Sequence, residues 1–105
     1  MIKHQFQDLQ LSALGCGAMR LPVLKDGSGT IDVAELDRMV DAAIASGINY
    51  FDTAYIYPGS ESALGEILER NGIRDKVNIA TKLPQYLVRN IASLDKYFDE
   101  ELSRL

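Results

Sequence analysis

The chain has 105 residues, of which 47% are apolar and 25% charged, values typical of one small globular domain. Fifteen acidic and eleven basic residues give a net charge of −4, with no basic cluster that could follow a nucleic-acid backbone. A single cysteine excludes an internal disulfide, and no stretch approaches the roughly 18 apolar residues of a membrane span. We therefore expect a cytoplasmic protein with neither nucleic-acid nor membrane partners, and no residue cluster predicts a metal site.

The N-terminal segment predicts a hairpin, a first strand and a long loop. Apolar and polar residues alternate over residues 2–7 and again over residues 9–12, which is typical of a β-hairpin. A strand is predicted over residues 12–17, where Gly15 and Gly17 indicate a bend or a close approach of the backbone. Proline, glycine and serine then predict an open, exposed connection.

The next segment carries several start signals of a helix. Asp32 can accept hydrogen bonds from the free amides, and Glu35, three residues later, can reach back. Ile31 can pack on Leu36, and Gly47 supplies a left-handed cap at the other end. The helix is predicted to bury one stripe, formed by Val33, Leu36, Val40, Ala43 and Ile44.

Two further strands follow, separated by a second helix. Residues 48–54 predict a buried strand, and residues 76–83 predict the next one. Between them, Ser60 and Glu61 are suited to begin a helix, and Asn71 with Gly72 ends it. A helix that joins two strands makes them parallel, with a right-handed crossover. The predicted buried stripe of this helix is Leu64, Ile67 and Leu68.

Residues 84–90 predict a loop before a third helix. Apolar residues recur in that helix every three or four positions, and the sequence stops on one of them. Such a stripe requires a partner and the last carbonyls have no cap, so we infer a truncated domain. The stripe comprises Ile91, Leu94, Phe98, Leu102 and Leu105.

The order of these elements predicts an α/β fold in which a hairpin precedes three βα units with parallel strands. A complete (β/α)8 barrel needs about 250 residues. Residues 1–105, taken as one domain, can therefore hold only the N-terminal part of a TIM barrel. In this fold class, sites lie on the loops after the carboxyl ends of the strands.

Polar side chains stand at two of those ends. Asp52 closes a buried run, Tyr57 follows it, and Lys82 closes the next strand. Neighbouring strands lie about 4.8 Å apart, so residues at the same height come within ion-pair reach, and we expect Asp52 and Lys82 to meet. Residue types alone favour a structural ion pair beside an ordinary loop tyrosine over a site.

The run from Gly47 to Tyr57 resembles the aldo-keto reductases, whose signature around the second barrel strand is Gly-x-x-x-x-Asp-Thr-Ala-x-x-Tyr. The family lysine that ends the next strand is matched by Lys82, and the likeness extends over nearly the whole chain. This resemblance favours a functional site over a structural ion pair. The fixed positions of the signature are filled by Gly47, Asp52, Thr53, Ala54 and Tyr57.

The resemblance implies an oxidoreductase that reduces aldehyde or ketone groups of small substrates with NADP(H). A phenol, with a pKa of about 10, is a poor proton donor unless a nearby cation stabilises its anion. In this scheme Tyr57 donates the proton, Lys82 tunes Tyr57, and Asp52 fixes Lys82. The family's fourth catalytic residue, a histidine on the following strand, has no counterpart in this sequence.

The resemblance also implies a cofactor segment that touches the nicotinamide end of NADP(H), together with Asp52. Many relatives have threonine at the position of Ala18, so a hydroxyl contact is missing here. The family's phosphate-binding loops belong to later parts of the barrel, and we expect this chain to bind NADPH weakly or not at all, with NAD(H) as an alternative. From the residues alone, a strand-to-loop junction without a ligand is an equal reading. The segment consists of Gly17, Ala18, Met19 and Arg20.

The alternative to an enzyme is a non-catalytic, truncated barrel fragment that forms a homo-oligomer through its open sheet edges. A three-stranded piece has two such edges, and unpaired edges are templates for association. The remaining candidate residues are weaker. We expect Cys16 to be a small buried strand residue and His4 to lie in the hairpin, far from the strand ends, whereas Tyr55 could line a substrate pocket.

Overall fold

The chain forms an N-terminal hairpin and a three-stranded parallel sheet that carries helices. The computed structural model describes residues 1–105. In the hairpin, β1 (Lys3–Phe6) pairs antiparallel with β2 (Leu9–Ser12). The parallel sheet has the order β3 (Cys16–Gly17), β4 (Tyr50–Asp52), β5 (Asn78–Ala80), and the helices are α1 (Val33–Ala45), α2 (Ser60–Arg70) and α3 (Ile91–Arg104).

The three βα units therefore follow one another as predicted, and the fold class of a partial TIM barrel is confirmed. No helix combines the length and the apolar composition needed to span a bilayer. Both strand pairs of the sheet are parallel, so the carboxyl ends of all three strands lie at one edge.

The first barrel strand is shorter than the predicted residues 12–17. Ser12 ends the hairpin instead, because its N–H and hydroxyl exchange hydrogen bonds with Asn49 at 2.8 and 3.0 Å. The predicted close approach of the backbone occurs at Gly15, where an added Cβ would lie 2.9 Å from the ring of Tyr50. Only Cys16 and Gly17 keep strand geometry.

The other two strands are also shorter than predicted, at three residues each. Lys76 lies in a 3₁₀ turn, Arg74–Lys76, rather than in a strand. Arg74 holds this turn by donating to the carbonyl of Leu105 at 2.7 Å. The segments that follow β4 and β5 are still linked by a backbone hydrogen bond, since the N–H of Tyr55 donates to the carbonyl of Lys82 at 3.2 Å.

Helix α1 begins and ends as the sequence predicts, with one difference. The Asp32 carboxylate accepts from the N–H of Glu35 at 3.1 Å. The Glu35 carboxylate does not reach back, because it pairs with Arg38 one turn further along the helix. Gly47 has φ +92°, and the following N–H of Ile48 donates to the carbonyl of Ala43 at 3.0 Å, which closes the helix.

The apolar core lies between the sheet and the helices α1 and α2. Alternation along β4 buries Phe51 in this core and turns Tyr50 and Asp52 toward the opposite face. That face carries the polar residues described below. The core residues are Leu36, Val40, Ala43, Phe51, Ala63, Leu64, Ile67, Leu68 and Val77.

Helix α3 packs on the rest of the chain through polar side chains. Most of its predicted apolar stripe is exposed, from 40% at Leu94 to 80% at Ile91, whereas Leu105 at the end of the stripe is half-buried near Gly65 of α2. The buried residue of the helix is Glu101. Close packing on α2 requires Gly65, since an added Cβ there would lie 1.7 Å from the carbonyl oxygen of Arg104.

Two buried carboxyl groups meet between α2, α3 and the end of β5. Glu61 and Glu101 are only 2% and 3% exposed. Both approach the hydroxyl of Thr81, at 2.5 and 3.0 Å, while Arg104 donates to the other oxygen of Glu61 at 3.0 Å. A hydroxyl has one proton to donate, so one carboxyl must supply its own. Burial and the neighbouring Glu61 raise the pKa of Glu101.

Glu101→Gln should stabilise the chain near pH 7 by about 1 kcal/mol, the scale of one buried hydrogen bond. A raised carboxyl pKa contributes stability below the unfolded-state value and loses it as the pH rises through the folded-state value. Glutamine imitates the protonated form at every pH. The gain, measured by urea unfolding, should therefore be small at pH 4 and grow toward pH 7. The control is Glu66→Gln, an exposed substitution on α2 that removes the same negative charge. A gain in Glu101→Gln that is equal at all pH values would contradict the raised pKa of Glu101.

Candidate active site

Asp52 and Lys82 meet at the carboxyl ends of β4 and β5. The Lys82 Nζ lies 2.6 Å from Asp52 Oδ1 and donates a second hydrogen bond, of 2.8 Å, to the carbonyl of Thr53. The expectation that the two residues stand at the same height is wrong, because Asp52 is paired with Ala80. Lys82 lies two positions further along, and its long side chain spans the diagonal.

Tyr57 lies beside this ion pair. Its ring centroid is 5.1 Å from Lys82 Nζ, within the range of a cation–π contact. The tyrosine is held in the tight turn between β4 and α2, where its N–H donates to the carbonyl of Ala54 and its own carbonyl accepts from the N–H of Ser60 at 3.0 Å. The three candidate catalytic residues therefore share one environment.

The ion pair is open to solvent, since the side chains of Lys82 and Asp52 are 51% and 43% exposed. Pairs of this kind contribute little stability, about 0–1 kcal/mol. The hydrogen bond that Lys82 donates to Asp52 raises the pKa of Lys82. Lys82 therefore keeps its charge at neutral pH, and on the alkaline side the pair is lost as the pH rises through that raised value.

A cleft of about 370 Å³ opens beside Tyr57 and Lys82. Most of its wall is apolar, and its polar groups are the ammonium of Lys82, the amide of Gln85 and the phenols of Tyr57 and Tyr86, which suits a small organic molecule with a polar function. Sequence reasoning did not identify the apolar wall, although its members directly flank the motif residues. The lining consists of Ala54, Ile56, Tyr57, Lys82, Leu83, Pro84, Gln85 and Tyr86.

The candidate cofactor segment lies next to the end of β4. A Cβ added at Gly17 would meet no atom within 4 Å, so the space above this residue is open. The N–H of Ala18 donates to the carbonyl of Asp52 at 2.8 Å, and its own carbonyl accepts from the hydroxyl of Ser60. The polar groups of Ala18 are thus used within the chain, while Met19 and Arg20 are exposed beside a cavity of about 310 Å³.

A pair of buried hydroxyls, which sequence reasoning missed, joins this segment to the strand end. Thr53 Oγ1 and Ser60 Oγ are 2.7 Å apart, and the Ser60 hydroxyl donates to the carbonyl of Ala18 at 2.8 Å. The signal available in the sequence was weak: Thr53 belongs to the motif, and Ser60 was assigned only to the start of a helix.

The remaining candidates lie elsewhere. His4 is an exposed hairpin residue. Cys16 is half-buried, and burial raises the pKa of its thiol. Tyr55 does not line the cleft beside Lys82: its ring packs edge-on against Tyr97 at 5.2 Å, and its hydroxyl donates to Glu100 at 2.5 Å. Tyr55 therefore helps to dock α3, and it lines a second, smaller cavity of about 240 Å³ together with Tyr57.

Sequence comparison finds relatives that match more than half of the chain. The chain is 41% identical over 64 residues to an aldo-keto reductase of Mycobacterium sp. (strain MCS), covering 60% of this chain and 22% of the relative. It is 37% identical over 76 residues to an aryl-alcohol dehydrogenase [NADP(+)] of Phanerodontia chrysosporium, covering 70% of this chain and 19% of the relative. The chain thus spans about a fifth of the length of these curated relatives.

Solved structures agree over the whole chain. An aldo-keto reductase of Bacillus halodurans in its holo form aligns with a TM-score of 0.76 at 29% identity, covering 100% of this chain and 36% of that protein. A Pseudomonas aeruginosa protein described as an aldo-keto reductase aligns with a TM-score of 0.78 at 28% identity, covering 99% and 43%. The family model for the aldo/keto reductases matches residues 13–105. By motif, fold and this match, the chain belongs to the aldo/keto reductase family.

Proposed function

We propose that the chain carries the proton-donating part of a reductase that converts aldehydes and ketones to alcohols with NADP(H). The observation that carries the proposal is the convergence of Tyr57, Lys82 and Asp52 beside one cleft. Family membership supports the reaction type. NADP(H) is favoured over NAD(H) because the similar protein of Phanerodontia chrysosporium is an aryl-alcohol dehydrogenase [NADP(+)].

The three residues divide the work as follows. The Tyr57 hydroxyl gives its proton to the carbonyl oxygen of the substrate, and the carbonyl becomes an alcohol. The ammonium of Lys82 stabilises the negative charge left on the phenol oxygen. Asp52 and the Thr53 carbonyl accept hydrogen bonds from Lys82 and hold it beside the ring. When bound, NADPH supplies the hydride that the carbonyl carbon receives.

The residues present fit one end of that cofactor. Gly17 leaves open space, Met19 and Arg20 are exposed beside it, and Asp52 closes the strand that borders them. These residues would contact the nicotinamide end. Arg20 in the candidate cofactor segment and Lys82 beside the cleft offer a diphosphate two separate side-chain charges. We therefore expect weak NADPH affinity for the 105-residue chain.

The test is a pair of measurements on the purified chain. NADPH fluorescence is titrated to detect binding, and NADPH oxidation with a reactive aldehyde is followed at high protein concentration, with Tyr57→Phe as the control for contaminating reductases. Slow turnover that the control lacks supports the proposal. The absence of both a fluorescence change and turnover above the control would overturn it for this chain.

A second candidate function is association with another copy of the chain. It is favoured by the α3 stripe, whose members Phe98 and Leu102 are 49% and 61% exposed, and by the open edges of β3 and β5. The expected result is a mass in light scattering that rises from one chain toward two with concentration. Phe98→Lys should shift the mass back to one chain, whereas the same change at Met39, an exposed residue of α1, should not.

A further inference from the structure

Two buried hydroxyl groups form a short hydrogen-bonded chain beneath the candidate cofactor segment. Thr53 is 0% exposed and Ser60 2% exposed. Their hydroxyl oxygens are 2.7 Å apart, and the Ser60 hydroxyl is 2.8 Å from the carbonyl oxygen of Ala18. Ser60 is the first helical residue of α2, whose N-cap is Gly59, so the Ser60 hydroxyl is not in the capping position of the helix. The Ser60 hydroxyl is used for another contact.

The donor and acceptor of each of these hydrogen bonds follow from counting protons. Each hydroxyl has a single proton to donate. The proton of Ser60 goes to the Ala18 carbonyl, which can only accept, so the bond between the two hydroxyls must be donated by Thr53. Every buried polar side-chain atom of the protein has a partner. Ser60 is therefore the central member, because it both accepts and donates.

Ser60 joins three parts of the candidate site. Its hydroxyl holds Ala18 from one side, while the carbonyl of Asp52 holds the Ala18 N–H at 2.8 Å from the other. Its backbone N–H donates to the carbonyl of Tyr57 at 3.0 Å. Thr53, the donor to Ser60, also provides the carbonyl that accepts from Lys82. One side chain thus relates the cofactor segment to the residues that move the proton.

We propose that Ser60 is a positioning residue that sets the place of residues 17–20 relative to Tyr57 and Asp52. The assignment to a reductase rests on the function proposed above, whereas the contact itself does not. Loss of the Ser60 hydroxyl leaves the Ala18 carbonyl without a buried donor. Beyond the strand pairing of Gly17, the segment then keeps the bond from the Ala18 N–H to Asp52 and moves away from the strand end, and residues that face the cofactor space move with it.

The test uses Ser60→Ala in the full chain and reads hydrogen exchange of single amides by NMR. The Ala18 N–H should exchange about tenfold or more faster, while amides of α1 and of the hairpin keep their rates. Thr53→Val, which removes the donor to Ser60 but leaves the bond to Ala18, should accelerate Ala18 less. Ser62→Ala, an exposed change on the same helix, should leave the exchange rate of the Ala18 N–H unchanged.

NADPH affinity gives the second readout. If the wild-type chain binds NADPH, its dissociation constant should rise about tenfold in Ser60→Ala and stay constant in Ser62→Ala. Uniform acceleration of all amides, or unchanged exchange at Ala18, overturns the proposal, and so does an unchanged dissociation constant in a chain that binds. A wild type without any NADPH binding refutes the proposed function instead. The selective exchange result then still decides whether Ser60 holds residues 17–20.

Discussion

Replacing Tyr57 with phenylalanine should lower the rate of aldehyde reduction by about 10²–10⁴-fold, the usual contribution of a positioned proton donor. The change removes one oxygen and keeps the ring, so the contact 5.1 Å from Lys82 Nζ remains. We therefore expect unchanged NADPH affinity and an unchanged midpoint of thermal unfolding. The measurement is kcat from NADPH absorbance, with long incubation because turnover is expected to be slow.

Tyr86→Phe is the matched control for this experiment. Tyr86 lines the same cleft as Tyr57, but it lies in the loop after β5 and is 62% exposed. Loss of its hydroxyl should change kcat by less than about threefold, because the proposed proton donor, Tyr57, remains in place beside Lys82. Equal losses in both variants would show that the cleft, and not the phenol beside Lys82, determines the rate. Full activity of Tyr57→Phe would contradict the assigned role.

Gly65→Ala should destabilise the chain by about 2–4 kcal/mol. The added Cβ would lie 1.7 Å from the carbonyl oxygen of Arg104 and 2.8 Å from its carbonyl carbon, so the last turn of α3 must move away. Moving Arg104, whose side chain is 31% exposed, away from the buried Glu61 leaves that carboxylate without its cation, at a cost of up to about 3–5 kcal/mol. The better helix propensity of alanine offsets about 1 kcal/mol of this loss. Urea unfolding followed by circular dichroism measures the net effect.

Ser62→Ala separates the clash from the change in helix propensity. Ser62 is exposed on α2, and alanine there adds no atom toward α3. The expected result is a gain of a few tenths of a kcal/mol. Stability of Gly65→Ala equal to or above that of the wild type would mean that α3 does not rest on α2 in solution.

The elements with local signals could be predicted from the sequence. Helix α1 is fixed by Asp32 at one end and Gly47 at the other, and both act within a few residues of their position. The stripe of α3 was recognised, but the face by which the helix docks was not. That face depends on Glu61 and Thr81, which lie 40 and 20 residues away from Glu101 and meet it only in the folded chain.

In the candidate site too, some features have local sequence signals and others depend on contacts that form only in the folded chain. Asp52 and Lys82 were found because alternation and strand order place them near each other, yet the offset of two positions follows from hydrogen-bond register, which single-sequence patterns do not contain. The link from Ser60 to Ala18 spans 42 residues and consists of one side-chain bond to a backbone oxygen. No periodicity marks such a bond, so coordinates were needed to find it.

Phe51 and Asp52 are neighbours in sequence but point to opposite sides of β4, one into the core and one to open solvent. Amino-acid exchanges at Asp52, Tyr57 and Lys82 should therefore leave expression yield and solubility almost unaffected. Saturation libraries at these three positions would report on chemistry, with little interference from misfolded members. The same libraries at Phe51 would report on folding alone.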